Sequence, residues 1–482
     1  MSSPLTNLKP ELLWKYFDEI RKIPRESRNE GPFGDYLISV ADKFNCKSRK
    51  DSVGNVVIEV PATKGYEDAP IVVLQGHQDM VCEKNSDVDH DFSKDPIKIK
   101  IDGDWVTAEG TTLGADNGIG VAAGLALLED DSVVHGPLEL LFTVDEETGL
   151  NGANNLTSDF VKGRILLNLD SEESGAFFVG CAGGADTEIT FKLNRKNSAS
   201  GTIYKITLSG FRGGHSGLDI DKGRGNATKL LARMLFKTNT PFELISIEGG
   251  NKHNAIPREA FAFIAVSDDT ANELKKELEE RFKEIAFEYK TVEKNAKWNM
   301  EKADADSSPV QNKEKEKLLN LIMAIPHGVI AMSQEIENLV ETSTNLAIVK
   351  SQGEEASLYS SSRSSIDSAI EAVRASIEAI GDLAESDVDQ KEGYPGWSPD
   401  LESDLLKTMK KIHKEVTGKD PEILAIHAGL ECGIIGEKCP GMDMISFGPD
   451  LENPHSPDER VHIKSVEGFW ELLAKTLEAL AK

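Results

Sequence analysis

Thiols, aromatic side chains, long apolar runs and basic charge are all scarce in this chain, and each scarcity excludes something. The five cysteines (Cys46, Cys82, Cys181, Cys432, Cys439) form no CxxC pair and keep no regular spacing. An odd number without a framework excludes a disulfide scaffold and reads as reduced thiols in a cytoplasmic protein. Aromatic residues make up 6% and apolar residues 39%, which fits an ordinary soluble chain. No apolar stretch approaches the roughly 20 residues that a membrane helix needs, and the N-terminus lacks the basic-then-apolar pattern of a signal peptide. Lys and Arg number 54 against 82 Asp and Glu, a formal net charge of -28. That field disfavours nucleic acid and anionic membranes as partners and suits attraction of divalent cations. There is no nucleophile elbow and no Walker loop, and the Gly118/Gly120 run lacks the strand, glycine-rich loop and helix spacing of a dinucleotide site.

The 482 residues exceed one compact core, so two or more domains are expected. Helical spacing of apolar residues marks 11–22 and 34–44, and strand-like runs follow at 55–60, 71–74, 138–144 and 165–169. Between them, 118–128 is a helix of small residues able to pack close to a sheet. This alternation predicts an α/β domain with a largely parallel sheet. The pattern changes near residue 188. From there to about 395 two similar stretches of strands and helices predict an inserted α+β lid of two related halves, with polar 304–313 as the hinge. The α/β character returns with a helix at 401–416, a strand at 442–447 and a final amphipathic helix at 465–481. The expected domains are therefore a discontinuous catalytic domain, 1–188 plus 396–482, and a lid, 189–395.

Five segments place a metal-type ligand just after a strand-like run: Gly76-His77-Gln78-Asp79-Met80, Gly114-Ala115-Asp116-Asn117-Gly118, Asp145-Glu146-Glu147-Thr148, Asn168-Leu169-Asp170 and Asn453-Pro454-His455-Ser456. Each has a plain reading of its own. His77 alone is a hydrogen-bonded structural histidine, Asp116 a helix N-cap, and Glu146-Glu147 part of a charged loop. Open α/β sheets, however, gather ligands at the carboxyl ends of their strands, and five coincidences there favour the functional reading. One aspartate has enough lone pairs to bridge two cations. His77 and Asp79, two apart on an extended chain, face one side, so that one can fix the other's imidazole. Of two adjacent acids, one can ligate while the other takes a proton from water. A His/carboxylate set without thiolate fits zinc, two per chain, with cobalt or manganese as substitutes. His90, His135, His327, His413 and His462 match no motif and read as structural.

In this order the motifs resemble the M20 metallopeptidases, and within them the aminoacyl-histidine (Xaa-His) dipeptidase branch. The resemblance spans essentially the whole chain. It rests on Gly-His-Gln-Asp-Met-Val (76–81), Thr-Leu-Gly-Ala-Asp-Asn-Gly-Ile-Gly (112–120) and Thr-Val-Asp-Glu-Glu-Thr-Gly (143–149). Branch-level support comes from Gly-Cys-Ala-Gly-Gly (180–184), Val-Glu-Thr-Ser-Thr-Asn-Leu-Ala (340–347) and His-Ala-Gly-Leu-Glu-Cys-Gly (427–433). The resemblance implies one metal on His77, Asp116 and Asp170 and a second on Asp116, Glu147 and His455. Glu146 becomes the general base and proton donor, Asp79 orients His77, and the Asp116–Asn117 peptide is expected to be cis. In the lid, His215 within Gly213-Gly214-His215-Ser216-Gly217 is implied to stabilise the oxyanion and Arg363 to grip the substrate carboxylate. Asn254 is a further candidate for that pocket, and His427 and Glu431 either line it or support it. The implied activity is hydrolysis of dipeptides, Xaa-His and carnosine-like ones included, by a metal-activated water in a cytoplasmic homodimer. An N-acyl-amino-acid amidohydrolase on the same scaffold and a catalytically silent, metal-stabilised interaction protein are the alternatives.

Overall fold

A computed structural model describes residues 3–305 and 308–482, which divide into two compact units. The first comprises Met1–Gly180, Trp397–Ala425 and Leu430–Lys482, and the second Cys181–Gly396 with Ile426–Gly429. The division thus falls at Gly180, not at 188. Position 188 lies in the middle of a strand, Gly183–Lys192, which the glycines at its start disguise.

The first unit is built on an eight-stranded sheet. Its centre is parallel: Leu138–Thr143, Val72–His77, Ile165–Asn168 and Asp443–Ser446 lie side by side in that order. The flanking pairings are antiparallel, through Val56–Val60 on one side and Ala176–Cys181 on the other. Val72–His77 and Leu138–Thr143 are buried at every position, as strands covered on both faces must be. The helix Ala115–Ala126 packs on Val72–His77 and on helix Glu11–Ile20. Its small residues permit this closeness: a Cβ on Gly124 would lie 3.2 Å from the Phe142 ring.

The second unit holds a nine-stranded antiparallel sheet; eight of its strands form two βαββαβ halves, and the ninth, Gly328–Met332, pairs with Val340–Lys350. In the first half, Thr202–Ser209, Glu243–Gly249, Ala260–Val266 and Lys297–Lys302 carry helices Ala227–Leu235 and Ala271–Glu288. Numbered along the chain, these strands lie in the order 4-1-3-2. In the second half, Gly183–Lys192, Val340–Lys350, Glu355–Ser364 and Asp387–Gln390 carry helices Asn312–Ala324 and Asp367–Leu383, in the mirrored order 2-3-1-4. The halves meet edge to edge where Gly249 pairs with Val349, and one apolar core, including Ile189, Leu208, Leu231, Leu318 and Ile377, runs through both. The second half therefore takes its first strand from before the first half begins. The proposed hinge over 304–313 is a tied segment where it is described. Val310 is fully buried and pairs with Arg195, and the Arg195 guanidinium donates to the carbonyls of Ile245, Ser308 and Ser351. Asp306 and Ser307 of that stretch lie outside the described residues.

Two buried charges fix the loop that leads into helix Ala115–Ala126. The Glu459 carboxylate accepts four successive backbone N–H groups, from Leu113 (2.6 Å), Gly114 (2.9 Å), Ala115 (2.7 Å) and Asp116 (3.3 Å). An anion there also complements the positive end of the helix dipole. The Arg25 guanidinium takes the carbonyls, donating to Gln78 (3.0 Å), Asp79 (2.5 Å) and Gly114. Glu459→Ala leaves four buried donors without a partner and is expected to cost about 3 kcal/mol or more. Urea denaturation of the metal-free protein measures it, and a loss within error of zero would contradict the assignment.

In the second unit, His327 is held below the ordinary histidine value, at about 4, by burial and by the neighbouring Lys229 ammonium. The folded ring stays neutral where the unfolded one takes a proton, so its contribution is complete above pH 6.5 and is lost as pH falls towards 4. The stability gap between the wild type and His327→Gln should therefore shrink across that window. A gap independent of pH in denaturant titrations would refute this.

Candidate metal centre

The ligand-type side chains of the first unit converge at the carboxyl ends of its parallel strands. His77 ends Val72–His77 and is 1% exposed. Its Nε2 lies 3.0 Å from Asp116 Oδ1 and 3.4 Å from Asp170 Oδ1. His455, on a loop with positive φ at both Asn453 and His455, brings its Nε2 to 3.2 Å from Asp116 Oδ2 and 2.9 Å from Glu147 Oε2. Asp116 thus turns one oxygen to each of two groups, His77 with Asp170 and His455 with Glu147. In each triad one candidate ligand atom per residue lies within 4.8 Å of the others, and the same holds for His77, Glu146 and Glu147. The Asp116–Asn117 peptide is cis. The Asn117 amide donates to Leu169 O at 2.7 Å, and its oxygen sits where a Cβ on Gly76 would be, at 2.2 Å. That close approach accounts for the glycine preceding His77.

Asp79 organises the centre from beneath. Its Oδ1 lies 3.4 Å from His77 Nδ1 and accepts Glu146 N–H at 3.1 Å. Its Oδ2 accepts the Ser27 hydroxyl at 2.8 Å and Glu147 N–H at 3.2 Å. Burial pushes this carboxyl up, but bonds from His77, Ser27 and Glu146 outweigh it and bring it to about 2. One ionised carboxylate therefore sets both the His77 ring and the backbone of the two glutamates.

Like charges in a dry place disturb one another. Burial first, then the Asp170, Glu431 and Glu147 carboxylates, raise Glu146 well above its ordinary value against the opposing pull of His77. Asp170 is raised to about 6, by burial and then by Asp116 and Glu147. Burial alone would lower His77, but Asp170, Asp116 and Asp79 hold it well above the usual histidine range. His455 rises to about 11 through its bonds to Asp116 and Glu147. Glu147 Oε1 and Asp170 Oδ1 are buried without a hydrogen-bond partner. Imidazoles drawn between carboxylates, with two carboxylate oxygens accepting no hydrogen bond, make a donor set suited to cations.

Glu431 supports this floor: Gln75 Nε2 (2.6 Å) and the Thr143 hydroxyl (2.7 Å) both donate to its Oε2. Arg25, Ser27 and Glu459 went unmarked in the sequence, because each works through backbone groups or through Asp79 and carries no spacing of its own. The unmotifed histidines have local tasks. The His462 ring accepts Ser465 N–H at the start of the last helix, and His413 packs edge-on against Phe177.

The other three candidates belong to the second unit. His215 Nδ1 accepts the N–H groups of Gly217 (3.2 Å) and Leu218 (3.1 Å), which leaves the ring proton on Nε2. Burial and the Arg363 charge lower its pKa, so the ring is a neutral Nε2–H donor. Arg363, 7% exposed, reaches Ser216 Oγ at 3.4 Å and donates to the Tyr394 hydroxyl at 2.8 Å. Asn254 is exposed and meets this group through its backbone carbonyl, which accepts Ser216 N–H at 2.9 Å. His427 joins the same unit and shares a 2.7 Å hydrogen bond with the Ser343 hydroxyl.

Known proteins carry the same arrangement of sequence. The chain is 42% identical over 481 residues, 99% of each protein, to the cytosol non-specific dipeptidase of Escherichia coli (strain K12). It resembles the crystal structure of aminoacylhistidine dipeptidase from Vibrio alginolyticus with a TM-score of 0.93 at 41% identity, covering 99% of this chain and 98% of that one. Aminopeptidase PepT from Bacillus cereus shares the fold, with a TM-score of 0.58 at 16% identity over 98% of this chain and all of that one. The model of peptidase family M20/M25/M40 matches residues 73–479, and with most of its length inside that match the chain belongs to this family.

Proposed function

We propose that this protein hydrolyses dipeptides, Xaa-His dipeptides among them, with two divalent cations held by His77, Asp116 and Asp170 on one side and Asp116, Glu147 and His455 on the other. The observation that carries the reading is Asp116, whose two oxygens face two separate ligand groups while Glu146 stands beside both His77 and Glu147. The donor set fits the cations. It is carboxylate and imidazole without thiolate, which suits zinc with cobalt or manganese as substitutes, and the unpartnered oxygens of Glu147 and Asp170 offer lone pairs to them. Bound there, the metals would polarise a carbonyl and make water a better nucleophile at neutral pH.

The chain's own residues do the rest. Glu146 accepts one proton from the attacking water and returns it to the amine nitrogen as the C–N bond breaks. Asp79, 3.4 Å from His77 Nδ1, orients the ring so that Nε2 faces the centre. His215, as a neutral Nε2–H donor, suits the oxygen on which negative charge develops. Arg363 supplies a guanidinium fork matched to a terminal carboxylate, which limits the chain to short peptides. The Escherichia coli and Vibrio relatives are both named dipeptidases, one non-specific and one for aminoacyl-histidine. The setting we assign is a cytoplasmic homodimer; the Escherichia coli relative is named as cytosolic, and among the described residues no helix is long and apolar enough to cross a membrane.

Amine release from Gly-His, β-alanyl-His, Leu-Gly, a tripeptide and N-acetyl-amino acids, with chelated and zinc-restored protein side by side, tests the reading. Metal-dependent cleavage confined to dipeptides is expected. Cleavage of only the N-acetyl compounds would make the protein a deacylase, and silence throughout would leave an interaction protein. Glu146→Gln should keep both zinc equivalents by elemental analysis while kcat falls roughly 10²–10⁴-fold. Turnover retained by this variant would sink the proton-transfer role.

A further inference from the structure

Two glycines of the sequence motifs have no part in the chemistry above: Gly184 of Gly-Cys-Ala-Gly-Gly (180–184) and Gly429 of His-Ala-Gly-Leu-Glu-Cys-Gly (427–433). In the second unit both touch one side chain. Tyr394 pairs backbone to backbone with Gly184, its N–H donating to Gly184 O at 2.9 Å and its carbonyl accepting Gly184 N–H at 3.0 Å. Its ring then lies flat against the missing side chains. A Cβ on Gly184 would stand 2.6 Å from Cε1, Cζ and Oη of the ring, and one on Gly429 would stand 2.9 Å from Cε2. Contacts that short do not occur, so only glycine leaves room for the phenol at either place. A Cβ on Gly183 would meet the backbone carbonyl of Tyr394 itself at 2.6 Å. The 427–429 turn is tied to the same strand, because Ala182 N–H is shared between the carbonyls of Ile426 and Ala428.

The end of this seated ring meets Arg363, whose Nη1 donates to the phenol oxygen at 2.8 Å. Burial raises the Tyr394 phenol above its ordinary value, so it keeps its proton and its oxygen stays an acceptor at neutral pH. Arg363 itself sits in strand Glu355–Ser364 opposite Ser343, with its Nε 3.4 Å from Ser216 Oγ. A guanidinium is a planar fork, and two parallel bonds to a carboxylate need that plane fixed. A neutral oxygen on Nη1 fixes it without cancelling its charge, which a carboxylate partner would do.

We propose that Tyr394 is a positioning residue for Arg363, holding the guanidinium plane for a substrate carboxylate, and that Gly184 and Gly429 are the seat of its ring. This rests on the reading of Arg363 as the carboxylate grip. The phenol acts through the arginine, so its effect belongs to substrates with a free C-terminal carboxylate and falls on KM more than on kcat.

The test is the ratio of kcat/KM for a dipeptide to that for its C-terminal amide, measured with zinc-loaded protein carrying Tyr394→Phe, Arg363→Lys, or both. Tyr394→Phe keeps the ring in its seat and removes only the acceptor. We expect it to lower the ratio about tenfold, mostly through KM for the dipeptide. We also expect little further loss when it is added to Arg363→Lys, since the pair acts as one unit. Gly184→Ala, which displaces the ring while leaving both partners chemically intact, should lower the ratio as well. An equal Tyr394→Phe loss in both arginine backgrounds would mean the phenol acts independently, and would overturn the proposal. So would an unchanged ratio in Tyr394→Phe beside a fallen one in Arg363→Lys, although the carboxylate grip would then survive. A ratio that Arg363→Lys leaves intact overturns the grip and the proposal together.

Discussion

Mutual repulsion of carboxylates is the constraint on which the first unit depends. Asp79, Asp116, Glu146, Glu147 and Asp170 gather around two imidazoles at the ends of buried strands, His77 buried and His455 half-exposed. In such a place each acid raises its neighbours, as Asp170 and Glu146 register. The neighbouring carboxylates hold His77 and His455 above the ordinary histidine value. Divalent ions would offset the carboxylates with two charges each and would leave both imidazoles as neutral ligands.

Crowding of this kind demands a stiff frame, and the frame works through the backbone. Glu459 collects the amides of the loop before helix Ala115–Ala126, while Arg25 collects carbonyls of that loop and of the turn after His77. Asp79 does for the Glu146-Glu147 backbone what Glu459 does for Asp116. Opposite buried charges thus hold the two halves of the Gly114–Ala115 peptide group. Asn117, wedged against Gly76 and bonded to Leu169, joins the Asp116 loop to the ends of two of the parallel strands.

How far the sequence could be read follows from what each residue works on. His77, Asp116, Glu147, Asp170 and His455 stood out because each closes an apolar strand or begins a helix with a side chain suited to metal, and the structure brings all five together. The small-residue helix and the parallel core strands were legible from period and burial. Strands without a strong pattern were not. Asp387–Gln390 carries Val388 as its one apolar residue, Lys297–Lys302 alternates weakly, and Gly183–Lys192 opens on two glycines. Missing them moved a domain boundary and hid the first strand of the second half. Arg25, Glu459 and Tyr394 lie beyond such reading altogether. Their partners are backbone atoms or a distant arginine, which only the folded chain brings near.

The borrowed strand of the second unit has a topological consequence. The first βαββαβ half leaves the chain after Gly183–Lys192 and returns before helix Asn312–Ala324. Its two ends run side by side: Gln311 N–H bonds Asn194 O at 2.8 Å, Lys196 N–H bonds Pro309 O at 2.8 Å, and Arg195 pairs with Val310. A whole half-sheet thus hangs from a neck two chains wide. The chain enters and leaves the first half at one place, while the two halves stay joined at the Gly249–Val349 edge and through one apolar core.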